Sequence, residues 1–148
     1  MPRRKRGFFR KHSLSIVSSV ILVTWIVLYT HSDASTHLGS FFGNAIADWT
    51  GVVVTVIATK YFYEKGSAES RKPPHDWLSP VRERLRDHSL TIFLLVTGVA
   101  WALLFSRVSS ESKWGQVVGN IVSEWTQLFG TVMLTKRLIE QRSKESAR

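Results

Sequence analysis

Two carboxylates stand inside otherwise uncharged apolar runs: Asp48 within Phe41–Ala58 and Glu124 within Val117–Leu134. A charge at the centre of a bilayer costs ~2.5–3.5 kcal/mol on insertion scales, so such a group should face protein or water. A helix turns by ~100° per residue, which places Asn44, Asp48, Thr55 and Thr59 within about 60° of one another. Asn120, Glu124, Thr131 and Thr135 form the same stripe, with Gln127 at its edge where the other run has Gly51. Each stripe is a polar ladder. Its carboxylate could attract a cation or pass a proton, and its amide and hydroxyl oxygens could replace part of a hydration shell. The same groups could instead join helices by hydrogen bonds, each contributing ~0.6–2 kcal/mol. Spacing leaves both readings open.

The two ladders are copies. At a constant offset of 76, Arg10–Ser70 lies over Arg86–Ser146 without a gap, and 22 of 61 pairs are identical. His12-Ser13-Leu14 returns as His88-Ser89-Leu90, and Asp48-Trp49-Thr50 as Glu124-Trp125-Thr126. Lys60 and Glu64 return as Lys136 and Glu140. The period is too long for a solenoid unit and suits a duplicated helix pair. Residues 1–72 are expected to form one repeat with a basic lead-in, and residues 73–148 a second with an amphipathic lead-in.

Four apolar runs are expected to cross a membrane. Ser13–Thr30 and Ser89–Ser106 carry no charge and have about the ~18–20 residues a spanning helix needs. Phe41–Ala58 and Val117–Leu134 match them in length. A cleavable signal peptide would suit the first run and its basic start, but the copy of that run lies mid-chain. Core helices of a soluble bundle would show a wider polar face. The expected fold is therefore all-α: an integral membrane four-helix bundle of two tandem transmembrane hairpins in parallel orientation. Two crossings per copy point both copies the same way, unlike the inverted repeats of many transporters.

Charge sets the expected orientation. The formal net charge is +9, and 18 of the 20 Lys and Arg fall in Met1–His12, Lys60–His88 and Lys136–Arg148. Only Arg107 and Lys113 lie in the loops within the hairpins. This is the positive-inside pattern, with both termini cytoplasmic. Arg3–Arg6 could bind nucleic acid, but a topology signal that meets anionic lipid headgroups explains it more simply. No nucleic-acid partner is expected. Pro80–His88, with Arg82, Arg84 and Arg86 beside Val81 and Leu85, is expected to lie as a short amphipathic helix on the inner leaflet. Pro73-Pro74 marks the boundary between copies. Ser13 and Ser89 are candidate N-caps.

A second stripe is small: Gly39, Gly43 and Ala47 with Thr50, repeated as Gly115, Gly119 and Ser123 with Thr126. It permits close backbone approach, so the second helix of each repeat should pack tightly, within or between chains. Trp25 and Trp101, Trp49 and Trp125 are expected in contacts between helices. Trp114 and Trp77 suit the membrane boundary. His31, Asp33 and His37 have a spacing that could suit a metal. Their counterparts are Arg107, Ser109 and Lys113, which favours a solvated loop. No metal site and no cofactor are expected. The loops 31–38 and 107–114 are too short for a pore helix with a carbonyl filter. No catalytic motif appears, and the absence of cysteine excludes thiolate chemistry.

The segments Glu64–Ser70 and Glu140–Ser146, with Glu124-Trp125-Thr126-Gln127, resemble those of an uncharacterised family of small bacterial four-helix membrane proteins built from a tandem two-helix repeat. The first copy departs from it at Asp48-Trp49-Thr50-Gly51. The resemblance implies a bacterial plasma-membrane location and no activity. A small cation or proton channel or transporter, as a homodimer around Asp48 and Glu124, is the leading functional expectation. A non-transporting accessory or assembly subunit of a larger membrane complex is the alternative.

Overall fold

A computed structural model describes residues 8–71 and 79–138. Arg3–Arg6, Pro73-Pro74, Trp77 and Glu140–Ser146 lie outside the described residues. The described chain is all-α, with α1 Phe8–His31, α2 His37–Tyr61, α3 Pro80–Asp87, α4 Ser89–Arg107 and α5 Lys113–Arg137. Three of these helices, α1, α2 and α4, are long and apolar enough to cross a membrane. At 25 residues α5 is as long as α2. Its Lys113, Asn120, Glu124, Gln127 and Lys136 lower its hydropathy.

Packing follows the repeat. The helix α1 lies on α2, α4 lies on α5, and the hairpins meet along α2 and α5. The core runs along this seam, through Ile46, Ala47 and Ala58 of α2 and Val117, Ile121, Trp125 and Val132 of α5. The outer helices are little buried: only 11% of the apolar stretch in α1 or in α4 is covered. Exposure of that kind suits a lipid solvent, in which apolar side chains have no need of an aqueous-style core.

The turns within the two hairpins are built alike. The Thr36 hydroxyl accepts the Gly39 N–H at 3.1 Å, and the Ser112 hydroxyl accepts the Gly115 N–H at 3.0 Å. These side chains satisfy a free N–H at the start of α2 and α5. A Cβ on Gly39 would lie 1.9 Å from the Asp33 carbonyl oxygen, and one on Gly115 1.9 Å from that of Ser109. The loop backbone therefore rests directly on the helix. One turn further, Gly43 seats the Tyr29 ring and Gly119 the Phe105 ring, with hypothetical Cβ contacts of 3.1 and 3.0 Å. The glycine stripe thus faces its own hairpin partner at these four positions.

Asp33 is absorbed by the same turn. Its Oδ1 accepts the Ser35 N–H at 2.9 Å and the Ser35 hydroxyl at 2.8 Å. The backbone bond and then the hydroxyl hold its carboxyl below the usual carboxylate range.

The N-cap expectations need correction. Because α1 begins at Phe8, Ser13 lies inside the helix. Ser89 is the first residue of α4, and His88 takes the cap position. The Ser89 hydroxyl accepts the Tyr63 N–H at 2.9 Å and so ties the linker to α4. The amphipathic lead-in forms α3. Val81 and Leu85 are exposed on it, and Arg86 pairs with Asp87 at 3.2 Å and Glu83 at 3.6 Å.

Candidate functional site

The seam brings the two ladders face to face. Asn120 Nδ2 donates to Asn44 Oδ1 at 2.5 Å. These two residues stand 76 apart in the sequence, at matching positions of α2 and α5. About one turn along, Asp48, Gly51, Val52, Thr55, Val56, Glu124 and Leu128 line an open groove of about 240 Å³. Asp48 and Glu124, also duplicates, face this one space. A separate, smaller cavity of about 70 Å³ has Thr55 and Leu128 in its lining as well, together with Thr59 and Thr131. The two carboxylates thus share one groove, and Thr55, Thr59 and Thr131 line the smaller cavity.

The halves are unequal. A Cβ on Gly51 would lie 2.8 Å from Glu124 Oε2, so the glycine leaves the space that the Glu124 carboxylate occupies. Its counterpart Gln127 is exposed and lines neither the groove nor the smaller cavity. Several threonine hydroxyls are bonded within their own helices: Thr59 donates to Thr55 O at 2.6 Å, and Thr131 to Gln127 O at 2.9 Å. Their lone pairs remain available as acceptors. Thr135, at the far end, shares a hydrogen bond of 3.0 Å with Ser67, so it belongs to the linker contact and not to the groove.

The exposed edge of the ladder carries chemistry too. Asn44, Asp48, Ser123 and Gln127 are exposed, whereas Ala47 is buried. The tryptophans buttress the seam from behind. Trp125 Nε1 donates to Thr97 Oγ1 at 2.8 Å, and its ring lies 5.8 Å from that of Trp101. Trp25 stacks on Phe42 at 5.9 Å between α1 and α2. Trp114 meets Tyr29 edge-on at 5.2 Å, across the two hairpins.

A buried ionic cluster closes the end of the bundle where α2 and α5 finish. Glu64 is 0% exposed. Its Oε1 accepts Lys136 Nζ at 2.7 Å and His88 Nδ1 at 2.8 Å. Its Oε2 accepts the Thr91 N–H, one of the free donors at the start of α4, at 3.3 Å. Burial alone would raise the Glu64 pKa, but the bonds from Lys136, Thr91 and His88 outweigh it and hold the carboxyl below its ordinary value. Gly66, at φ 87°, makes the turn that follows, a conformation that suits glycine. In the sequence Glu64 stands out as a recurring residue and as the start of the Glu64–Ser70 segment, and neither names its partners. The recurrence of His, Lys and Glu in both copies was the signal that could have found the cluster.

No protein-family model, curated protein or solved structure matches the chain.

Proposed function

We propose that the chain is a four-span plasma-membrane protein whose α2–α5 seam forms a small cation or proton pathway in a homodimer. The observation that carries this reading is the placement of Asp48 and Glu124 on one groove with Thr55, about one turn from the Asn pair. Two carboxylates sharing one space repel when both are charged. A proton or a cation between them relieves that repulsion. Amide and hydroxyl oxygens on either side offer the hard ligands that small cations prefer.

The homodimer follows from exposure. Asp48 is uncovered on the single chain, at a depth where contact with lipid costs ~2.5–3.5 kcal/mol. A second copy, brought up by a twofold axis along the membrane normal, would cover the groove and face it with the same groups. Four crossings with both termini cytoplasmic agree with the distribution of Lys and Arg. The hydrophilic content of α5 is then what a pathway-lining helix requires. Reconstitution of pure protein into liposomes tests the reading: a saturable flux of a monovalent cation or of protons is expected, and no flux of any common cation contradicts it.

The exposed edge of Asn44, Asp48, Ser123 and Gln127 also fits a second reading, an accessory subunit that uses this edge to hold a larger membrane complex. Extraction in mild detergent separates the two. A homo-oligomer free of other chains favours the pathway, and an unrelated subunit in fixed ratio favours the accessory role.

A further inference from the structure

The two hairpins differ where α2 and α5 finish. In the second, Lys136 Nζ lies 3.5 Å from His88 Nδ1, and the Glu64 carboxylate accepts from both, at 2.7 and 2.8 Å. In the first, the matching residues Lys60 and His12 make the same pair at 3.2 Å. Among the described residues no carboxylate bridges them. A cavity of about 560 Å³ opens there. Lys11, His12, Lys60 and Arg71 line it from three segments: the start of α1, the end of α2, and the chain after the Glu64 turn. Glu69 is the acid among the described residues of that lining, so three cations and a histidine face one carboxylate.

We propose that this cavity binds the phosphate group of an anionic phospholipid. The donors suit a phosphate. Arg71 can meet two of its oxygens with parallel N–H bonds, and Lys60 adds a compact positive charge. A lysine ammonium only donates, so His12 Nδ1 accepts from Lys60 and the neutral ring carries its proton on Nε2 as a further donor. The turn before Arg71 holds it at the cavity: the Ser70 hydroxyl accepts the Glu64 N–H at 2.8 Å, and the Ser67 N–H returns to Glu64 O at 3.2 Å. The buried Glu64 cluster of one hairpin end thus positions a cation of the other.

The apolar wall favours a lipid over a free anion. Leu14 of α1 and Val56 of α2 line the same cavity, and both helices are long and apolar enough to cross a membrane. About one turn further from the charged end, Val17 and Val52 are exposed. An acyl chain attached to a phosphate beside Lys60 can lie along that surface and leave water, whereas inorganic phosphate gains nothing from it. Basic pockets between spanning helices are known to take anionic headgroups in this way. The inference rests on reading α1 and α2 as membrane spans and is independent of the cation pathway.

Full-length protein in its own membranes is first washed with alkaline carbonate, and it is expected to stay in the membrane. Purified in mild detergent and offered equal amounts of phosphatidylglycerol and phosphatidylethanolamine, it should retain the anionic lipid in native mass spectra. Lys60→Gln with Arg71→Gln should lower that retention by about tenfold, on the scale of ~1 kcal/mol for each basic residue near a charged lipid. Lys60→Arg keeps the charge and should keep the lipid. Lys65→Gln with Arg137→Gln removes the same charge from exposed positions at this end that do not line the cavity, and should also keep it. Equal retention of the two lipids would overturn the proposal, as would a double cavity variant that binds like the wild type. An equal loss in the Lys65/Arg137 variant would assign the effect to overall charge, and displacement of the lipid by excess inorganic phosphate would assign the cavity to a free anion; either overturns it. Release by carbonate would overturn the membrane reading and the proposal together, whereas retention in the membrane without bound anionic lipid overturns the proposal alone.

Discussion

Gly51 and Glu124 share one space: a Cβ on the glycine would stand 2.8 Å from the carboxylate oxygen of the glutamate. The atom in the way is the far end of a flexible side chain, so Gly51→Ala can be accommodated by swinging the carboxylate aside. The expected outcome is a small stability change, within about 1 kcal/mol, together with a marked change in flux. Thermal unfolding in detergent and a liposome assay on the same preparation separate the two effects.

The glycines at the hairpin turns behave differently. At Gly39 and Gly115 the obstacle is a carbonyl oxygen of the loop backbone, 1.9 Å from the hypothetical Cβ. Backbone cannot swing aside. Gly39→Ala and Gly115→Ala should each destabilise by about 1–3 kcal/mol or more, read as a fall in the melting temperature or loss of the folded peak on gel filtration.

Tyr29 links the hairpins at the end where α1 meets the loop to α2. It is 1% exposed, and its hydroxyl donates to the Lys113 carbonyl at 2.5 Å. Its counterpart Phe105 fills the same kind of seat on Gly119 without a hydroxyl. Tyr29→Phe should therefore keep the ring packing and lose about 0.5–1.5 kcal/mol. Thermal unfolding of Tyr29→Phe beside the wild type gives the check.

The Glu64 cluster makes stability depend on pH. A carboxyl whose folded-state pKa lies below its unfolded value contributes stability that is present above the unfolded pKa and lost as pH falls through the folded one. For Glu64 the loss should begin as pH falls below the ordinary value of 4.5. Removing this carboxylate leaves Lys136 and His88, themselves partly exposed, without their shared acceptor, at a cost of about 1.5–3 kcal/mol for hydrogen bonds to a charged group. Unfolding curves of the wild type and Glu64→Gln from neutral to acid pH should converge at the acid end. Parallel curves would contradict the assignment.

Much of this was legible in the residues, and the parts that were not share a cause. The offset of 76 predicted paired helices, and Asn44 and Asn120 do meet across the seam. Periodicity gave the face of Asp48 and Glu124, because one helix turn fixes where side chains point. It did not give the partner of that face. The glycine stripe was expected to serve contact between second helices, and at Gly43 and Gly119 it seats aromatic rings of α1 and α4. Helix starts were misjudged for a related reason. Ser13 has the residue type of a cap, but the basic turn before it continues the helix; the hydroxyl caps that form, Thr36 and Ser112, start the second helices α2 and α5. Glu64 was hidden because its partners lie 24 and 72 residues away, beyond the reach of local pattern.

The most direct measurement is ion flux in liposomes holding the purified wild type beside the Asp48→Asn/Glu124→Gln double variant. The variant keeps the shape of both side chains and removes both charges from the groove. Wild-type flux with a loss of about tenfold or more in an equally folded variant, the scale set by ~1.4 kcal/mol, is the predicted result. A wild type that passes no common cation and no protons, or a variant that conducts as well as the wild type, would contradict the account.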